Sequence, residues 1–265
     1  MNFLNKILAY KKLEVQKQKI ELNIDELKSI CQTMPSSKSL IEKLKSASSK
    51  DKLALIAEVK KASPSKGLIR KIFSPSEIAL AYQNAGASAV SVLTDEKFFQ
   101  GSIQYLQEVR KIVNLPILRK DFIIDPYQIY QTRAIGADII LLIASALTPE
   151  KLKEFYNLSK ETGLEVLLEI HNRQELDLAL SIDTEIIGIN NRNLETFEVS
   201  IQTTLDLVKN INLSNKFIIS ESGITTHSDI VTLKNNGISG VLIGESFMRQ
   251  ENIENAVQNL MQNYI

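Results

Sequence analysis

Five apolar runs of this chain end on, or within two residues of, a group able to move a proton or hold an anion. Residues 55–60 (LIAEVK) bring Glu58 and Lys60, 116–120 (PILRK) bring Lys120, and 164–170 (LEVLLEI) bring Glu169. Residues 186–190 (IIGIN) bring Asn190, and 217–222 (FIISES) bring Glu221. One charge at a strand end is ordinary. Charges or amides closing several parallel strands, each followed by a helical pattern, mark a barrel enzyme whose site lies at the strand C-termini. Glu58 and Lys60 are two apart and share a strand face. That face is the barrel interior near its mouth, because an ammonium turned to the helix layer would be buried without water. Taken alone, the two read equally well as an internal pair that merely satisfies itself and as part of a site. Lys120, Glu169, Asn190 and Glu221 change the weighting, since two ammoniums among three carboxylates push one another's proton affinities apart. That is how acid and base roles are separated at neutral pH, so the set reads as catalytic.

The segment 60–76 (KKASPSKGLIRKIFSPS) carries Lys60, Lys61, Lys66, Arg70 and Lys71 and no acid. A nucleic-acid patch is one reading, but the segment has few aromatics and the chain's 31 Lys+Arg balance 31 Asp+Glu. The preferred reading is a long, mobile active-site loop, bent at Pro64 and Gly67, whose cations and Ser63 meet an anionic substrate. Barrels commonly bind phosphate on the loops after strands seven and eight and on a nearby helix N-terminus. Here those loops are SESGI (220–224), with Ser222 and Gly223, and IGES (243–246), with Gly244 and Glu245. A phosphorylated small molecule follows as the substrate class. No metal is implied: His171 and His227 lie far apart, without partners at ligand spacing, and read as loop or cap residues.

The elements that must position these groups recur as a phrase: a helical pattern, a glycine, then an apolar run. It appears at 84–93, 134–143, 161–170 and 235–244, with Gly86, Gly136, Gly163 and Gly237 where a helix end needs a left-handed residue. The near-continuous Val, Ile and Leu of the runs suits parallel strands covered on both faces. Strands are expected near 54–60, 88–93, 116–120, 138–144, 164–170, 185–190, 216–221 and 240–244. Helix starts are expected at Pro75, Asp125-Pro126, Thr148-Pro149, Asn172, Ser200 and Thr226. Eight such units make a (β/α)8 barrel over 51–265. An open doubly wound sheet is the runner-up, disfavoured because no G-x-G-x-x-G follows a strand. Residues 1–50 lie outside the repeat and read as a helical extension packed on the barrel. Its helices are expected at 2–20, 24–31 and 40–45, and its apolar stripe at Leu4, Ile7, Leu8, Leu13 and Val15.

The 44% hydrophobic, 23% charged composition is that of a soluble globule. Lone Cys31 allows no internal disulfide, and no signal or transit peptide is read at the N-terminus, so a reducing cytoplasm fits. The longest apolar stretch, 139–147, falls short of the roughly 20 residues needed to span a bilayer.

The motifs AEVKKASPSKG (57–67), FFQGS (98–102), ILRKDFIIDPYQIYQTRAIGAD (117–138), EVLLEIHN (165–172), IGINNRNLETFEV (187–199), SESGI (220–224) and LIGESFMR (242–249) together resemble the indole-3-glycerol phosphate synthase family. LRKDFI and GINNRNL are the most specific of them, and the resemblance spans nearly the whole chain. Asn193 and Ser200 stand where that family often has Asp. The resemblance implies cofactor-free ring closure of 1-(2-carboxyphenylamino)-1-deoxyribulose 5-phosphate to indole-3-glycerol phosphate, with loss of CO2 and water. It makes Lys120 the general acid on the substrate carbonyl and Glu169 the base of the dehydration. Glu58, Lys60, Asn190, Glu221 and Ser222 complete the catalytic and substrate contacts. Lys60 is left either as anchor of the anthranilate carboxylate or as the acid of the second step. Ser63, Gly223, Gly244 and Glu245 fall at the phosphate, and Arg192 matches a substrate-binding arginine. A cytoplasmic monomer without a fused domain is expected. The rival readings are a sugar-phosphate isomerase such as phosphoribosylanthranilate isomerase, which would not call for the lysines of strands one and three, and a catalytically dead phosphate-ligand-binding barrel, which the Lys120–Glu169 pair argues against.

Overall fold

A computed structural model of the chain describes residues 3–193, 196–209 and 215–265. Eight parallel strands close a barrel: β1 (Ala54–Val59), β2 (Ala89–Leu93), β3 (Ile117–Lys120), β4 (Ile139–Ile143), β5 (Glu165–Ile170), β6 (Ile186–Asn190), β7 (Phe217–Glu221) and β8 (Gly240–Ile243). Each pairs with its neighbours in chain order, and β8 returns to β1. This is the expected (β/α)8 barrel, with strand ends within a residue or two of those read from the sequence.

Alternation along each strand divides two cores. Leu55, Ala57, Val90, Val92, Ile117 and Ile140 point out under the helices. Ala54, Ile56, Ala89, Leu118, Ile139, Leu167, Ile186, Ile219 and Leu242 point in. One more two-residue step carries β1 from Ile56 to Glu58, β3 from Leu118 to Lys120, β5 from Leu167 to Glu169 and β7 from Ile219 to Glu221. The apolar floor and the charged mouth are therefore one interior surface. A slip of one residue would turn every one of these charges into the helix layer, so the apolar floor fixes their direction.

Gly86, Gly136, Gly163 and Gly237 take the left-handed conformation expected of them, with φ of 92, 91, 81 and 78°. Asp125, Thr148, Asn172 and Thr226 cap their helices by accepting backbone N–H bonds, and Pro75 opens its helix at the first turn. Ser200 differs: the helix begins later, at Gln202, with Ile201 as its cap, and Ser200 Oγ accepts from Gln202 N at 3.3 Å.

The extension forms α1 (Phe3–Glu21), α2 (Ile24–Thr33) and α3 (Leu40–Ser49). Asn2, expected in the first helix, lies outside the described residues, as do Leu194 and Glu195 of the GINNRNLETFEV motif. On α1 the stripe is corrected. Leu4, Ile7 and Val15 are buried, but Leu13 is 64% exposed and Lys11 completes the inward face. Helix α3 runs four residues further than expected and plugs the barrel floor with Leu40 and Leu44. Glu165, at the start of β5, fixes it by accepting from Ser39 Oγ at 2.5 Å and Leu40 N at 2.7 Å. Among the described residues no helix is long and apolar enough to cross a membrane.

Candidate active site

Glu58, Lys60, Ser63, Lys120, Glu169, Asn190, Arg192, Glu221, Ser222, Gly223, Gly244 and Glu245 all line one cavity at the C-terminal mouth of the barrel. At its centre Lys120 Nζ donates to Glu169 Oε2 at 2.7 Å and Glu221 Oε2 at 3.0 Å. Lys60 Nζ lies 2.6 Å from Glu58 Oε1, so the two do share the interior face. Asn190 Nδ2 donates to Glu169 Oε1 at 3.1 Å, while its Oδ1 accepts from Ser222 Oγ at 2.9 Å and Arg192 N at 3.1 Å. Four strand ends are thereby linked into one polar network.

Burial sets the electrostatics. It disfavours the Lys120 ammonium, yet Glu169, Glu221 and Glu58 outweigh it and hold the group protonated far above neutral pH. Burial likewise opposes ionised Glu169, but Lys120 and then His171 pull its carboxyl well below the usual range. Glu221 goes the other way: burial, reinforced by the charge of Glu169, raises it to about 7 despite Lys120. An ammonium, an ionised carboxylate and a carboxyl poised near neutrality meet at the same place, a separation of charge states that proton-transfer catalysis can use.

Three glycines lie in close approach at the mouth, two of them against Glu221 and Glu58. A Cβ on Gly188 would run into Glu221 Oε1, one on Gly244 would lie 2.7 Å from Glu58 Oε1, and one on Gly223 would strike Val199 Cγ1. At the β7 end Ser222 and Gly223 are both left-handed, with φ of 67 and 77°; the first is an uncommon conformation for a side-chain-bearing residue. Asn191 Nδ2 holds it by donating to Ser222 O at 2.9 Å. Glu245 accepts from Arg249 Nη2 at 2.8 Å through its carboxylate. Ser63 Oγ is buried on the wall with no hydrogen-bond partner among the described residues.

The segment 60–76 holds regular pairing that its composition did not announce. Ala62–Ser63 and Gly67–Leu68 pair as an antiparallel hairpin, and Arg70 Nη1 donates to Met248 O at 3.2 Å and Gln250 O at 2.7 Å, tying the segment to the end of the short helix Glu245–Met248 that follows β8. Sequence reasoning also missed the apolar half of the cavity, contributed by Phe3, Leu4 and Ile7 of α1 with Phe99, Phe122 and Phe197. Behind it Lys11 Nζ, fully buried, lies 2.8 Å from Asp121, 2.9 Å from Asp95 and 2.9 Å from Glu14. His171 requires a correction. It is no simple loop or cap residue: Nε2 lies 3.3 Å from Glu169 Oε1 and Nδ1 3.2 Å from Glu175 Oε2. The signal was available, since Glu169 and His171 have the two-residue spacing that joined Glu58 to Lys60.

Fold and site together define a (β/α)8 barrel with an enzyme-like cavity at its C-terminal mouth, lined by apolar and charged side chains. The sequence profile of indole-3-glycerol phosphate synthase matches residues 4–260, so the chain belongs to that family, a carboxy-lyase of tryptophan biosynthesis. It is 49% identical over 259 residues to an indole-3-glycerol phosphate synthase of Neisseria meningitidis serogroup B, covering 98% of this chain and 99% of that one. One from Alkaliphilus metalliredigens is 44% identical over 257 residues, 97% of each chain. Solved structures of the same fold include 3-hexulose-6-phosphate synthase from Salmonella typhimurium, with TM-score 0.64 and 10% identity over 79% of this chain and 97% of that one. Another is thiamine phosphate pyrophosphorylase from Pyrococcus furiosus, with TM-score 0.59 and 14% identity over 80% of this chain and 95% of that one. At such identities the likeness concerns the fold alone.

Proposed function

We propose that this chain closes the indole ring of indole-3-glycerol phosphate from 1-(2-carboxyphenylamino)-1-deoxyribulose 5-phosphate with Lys120 as the acid and Glu169 as the base. The observation that carries the residue assignment is the Lys120 ammonium held between Glu169 and Glu221. The ring carbon bearing the carboxylate attacks the ketone while Lys120 protonates the carbonyl oxygen. The bond to the carboxylate then breaks, CO2 leaves, and its electron pair flows into the iminium of the ring nitrogen. Loss of the hydroxyl as water and removal of the remaining proton by Glu169 restore aromaticity. Glu221 and Asn190 orient Lys120 and Glu169, and Glu58 orients Lys60. The Lys60 ammonium has two uses here, either neutralising the substrate carboxylate or protonating the departing hydroxyl. Ser63, Ser222, Gly223, Gly244 and Glu245 hold the phosphate, the last two through backbone N–H groups, and Arg192 adds a cation to the substrate.

The phenyl ring lies against Phe3, Leu4 and Ile7, which makes residues 1–50 an extension that works with the 51–265 barrel as one unit. The reading is completed by a single-chain enzyme of the cytoplasm, acting on a phosphorylated small molecule and not on nucleic acid or membrane. Indole fluorescence on addition of the carboxyphenylamino substrate tests it. The wild type gives product, and Lys120→Met, still folded by circular dichroism, gives almost none. Unchanged turnover in that variant removes Lys120 from the acid role.

A further inference from the structure

We infer that His171 is a positioning residue for Glu169: its ring, anchored by Glu175, supplies the cation that holds the base ionised and aimed. This rests on the reading of Glu169 as the base. Both ring nitrogens face carboxylates, Nε2 toward Glu169 Oε1 at 3.3 Å and Nδ1 toward Glu175 Oε2 at 3.2 Å. Nε2 is buried and makes no aligned hydrogen bond, so Glu169 is its electrostatic partner. The anchor is itself fixed, because Glu175 accepts from His171 N at 2.8 Å and from Asn172 Nδ2 at 2.8 Å in the first turn of the helix Arg173–Ile182.

The charged groups around the ring are these two carboxylates, with Lys120 reaching Glu169 from β3 and with Arg192 and Glu198 across the adjoining groove. Burial alone would discharge the imidazole, but Glu169 and Glu175 raise it to about 9, so a cation persists at neutral pH. When Lys120 gives its proton to the substrate, Glu169 loses its principal counter-charge. A second cation on its other oxygen keeps it an anion until it takes the substrate proton.

The chain has two histidines, so His171 can be followed by NMR with His227 as internal reference. In the wild type the His171 ring titrates near 9, and in Glu175→Gln or Glu169→Gln it falls by about 1 unit or more, as an opposite charge nearby is worth. His171→Gln keeps a donor but loses the charge. Its acidic limb in kcat moves up by about 1 unit, with KM unchanged within a few-fold. His171→Phe loses both and turns over up to about 100-fold more slowly, the scale of a misplaced catalytic group. An ordinary His171 titration, or wild-type limbs and kcat in both folded variants, overturns the proposal. Turnover retained in Glu169→Gln sinks the base assignment instead. Loss there, with His171 variants unaffected, sinks the present inference alone.

Discussion

The carboxylate of Glu221 occupies the space that a side chain at position 188 would need: a Cβ on Gly188 would overlap Glu221 Oε1. Gly188 is register-paired with Glu169 across β5 and β6, and Asn190, two residues on, is paired with Glu221 across β6 and β7. The glycine thus sits beneath the network and lets Glu221 drop far enough to accept from Lys120.

Gly188→Ala is therefore expected to push Glu221 off Lys120 while leaving the barrel closed. A shift of about 1 Å in such a group costs up to roughly 100-fold in turnover. Steady-state kinetics and a melting curve check it. Wild-type kcat in a folded variant would mean that the strand yields and Glu221 keeps its place.

A second expectation concerns pH. Folded Glu221 titrates near 7, raised first by burial and then by Glu169, against 4.5 for the free group. Between those values the folded protein holds a proton that the unfolded chain releases, so this residue's contribution to stability declines as pH rises through the window. Glu221→Gln holds no such proton. The wild-type advantage over it in denaturant midpoint should be greatest near the lower end and shrink toward pH 8. A difference independent of pH would show that Glu221 is ionised throughout.

Lys11 offers a third. It satisfies Asp95, Asp121 and Glu14 from a fully buried position, and Asp121 directly follows Lys120. Burial would raise Asp121, but Lys11 and Arg119 take it down to about 2. Lys11→Met leaves buried carboxylates under-compensated and should cost about 3–5 kcal/mol, the usual penalty for breaking a buried pair. Urea unfolding measures it. A loss under about 1 kcal/mol, the worth of an exposed pair, would mean that water reaches the site.

These residues also show where the sequence was readable. Glu58, Lys120, Glu169 and Glu221 stood out because a charge closing an apolar run has one place to go once the run is buried. Lys11 did not, because it is one of many lysines on a polar helix and only the barrel's Asp95 and Asp121 make its face the inner one. Leu13 misled for the same reason: composition ranked it above Lys11, whereas the 4–7–11–15 spacing decides which face is covered. Phe3, Phe99, Phe122 and Phe197 come from four separate segments, so no local pattern could gather them. The hairpin in 60–76 was hidden because a two-residue strand has no periodicity to detect.

That hairpin supports the last prediction. Its own backbone pairing is short, at Ala62 with Leu68 and Ser63 with Gly67, and its far end is held by Arg70 bonds to Met248 O, Gln250 O and Ile72 O. The guanidinium thereby anchors the base of the hairpin to the segment just after β8, and it does so through backbone carbonyls outside the charged network. Arg70→Ala should release the hairpin, so amides 61–70 exchange faster with solvent and kcat/KM falls by roughly 10-fold, the equivalent of one charge-assisted bond of about 1.5 kcal/mol. The melting temperature should change little, since little core is involved. Bound product should slow the same amides in the wild type, because a long βα loop at a barrel mouth closes over its ligand. Equal exchange with and without product, and in the variant, would make the hairpin a fixed wall and its cations a solvated surface.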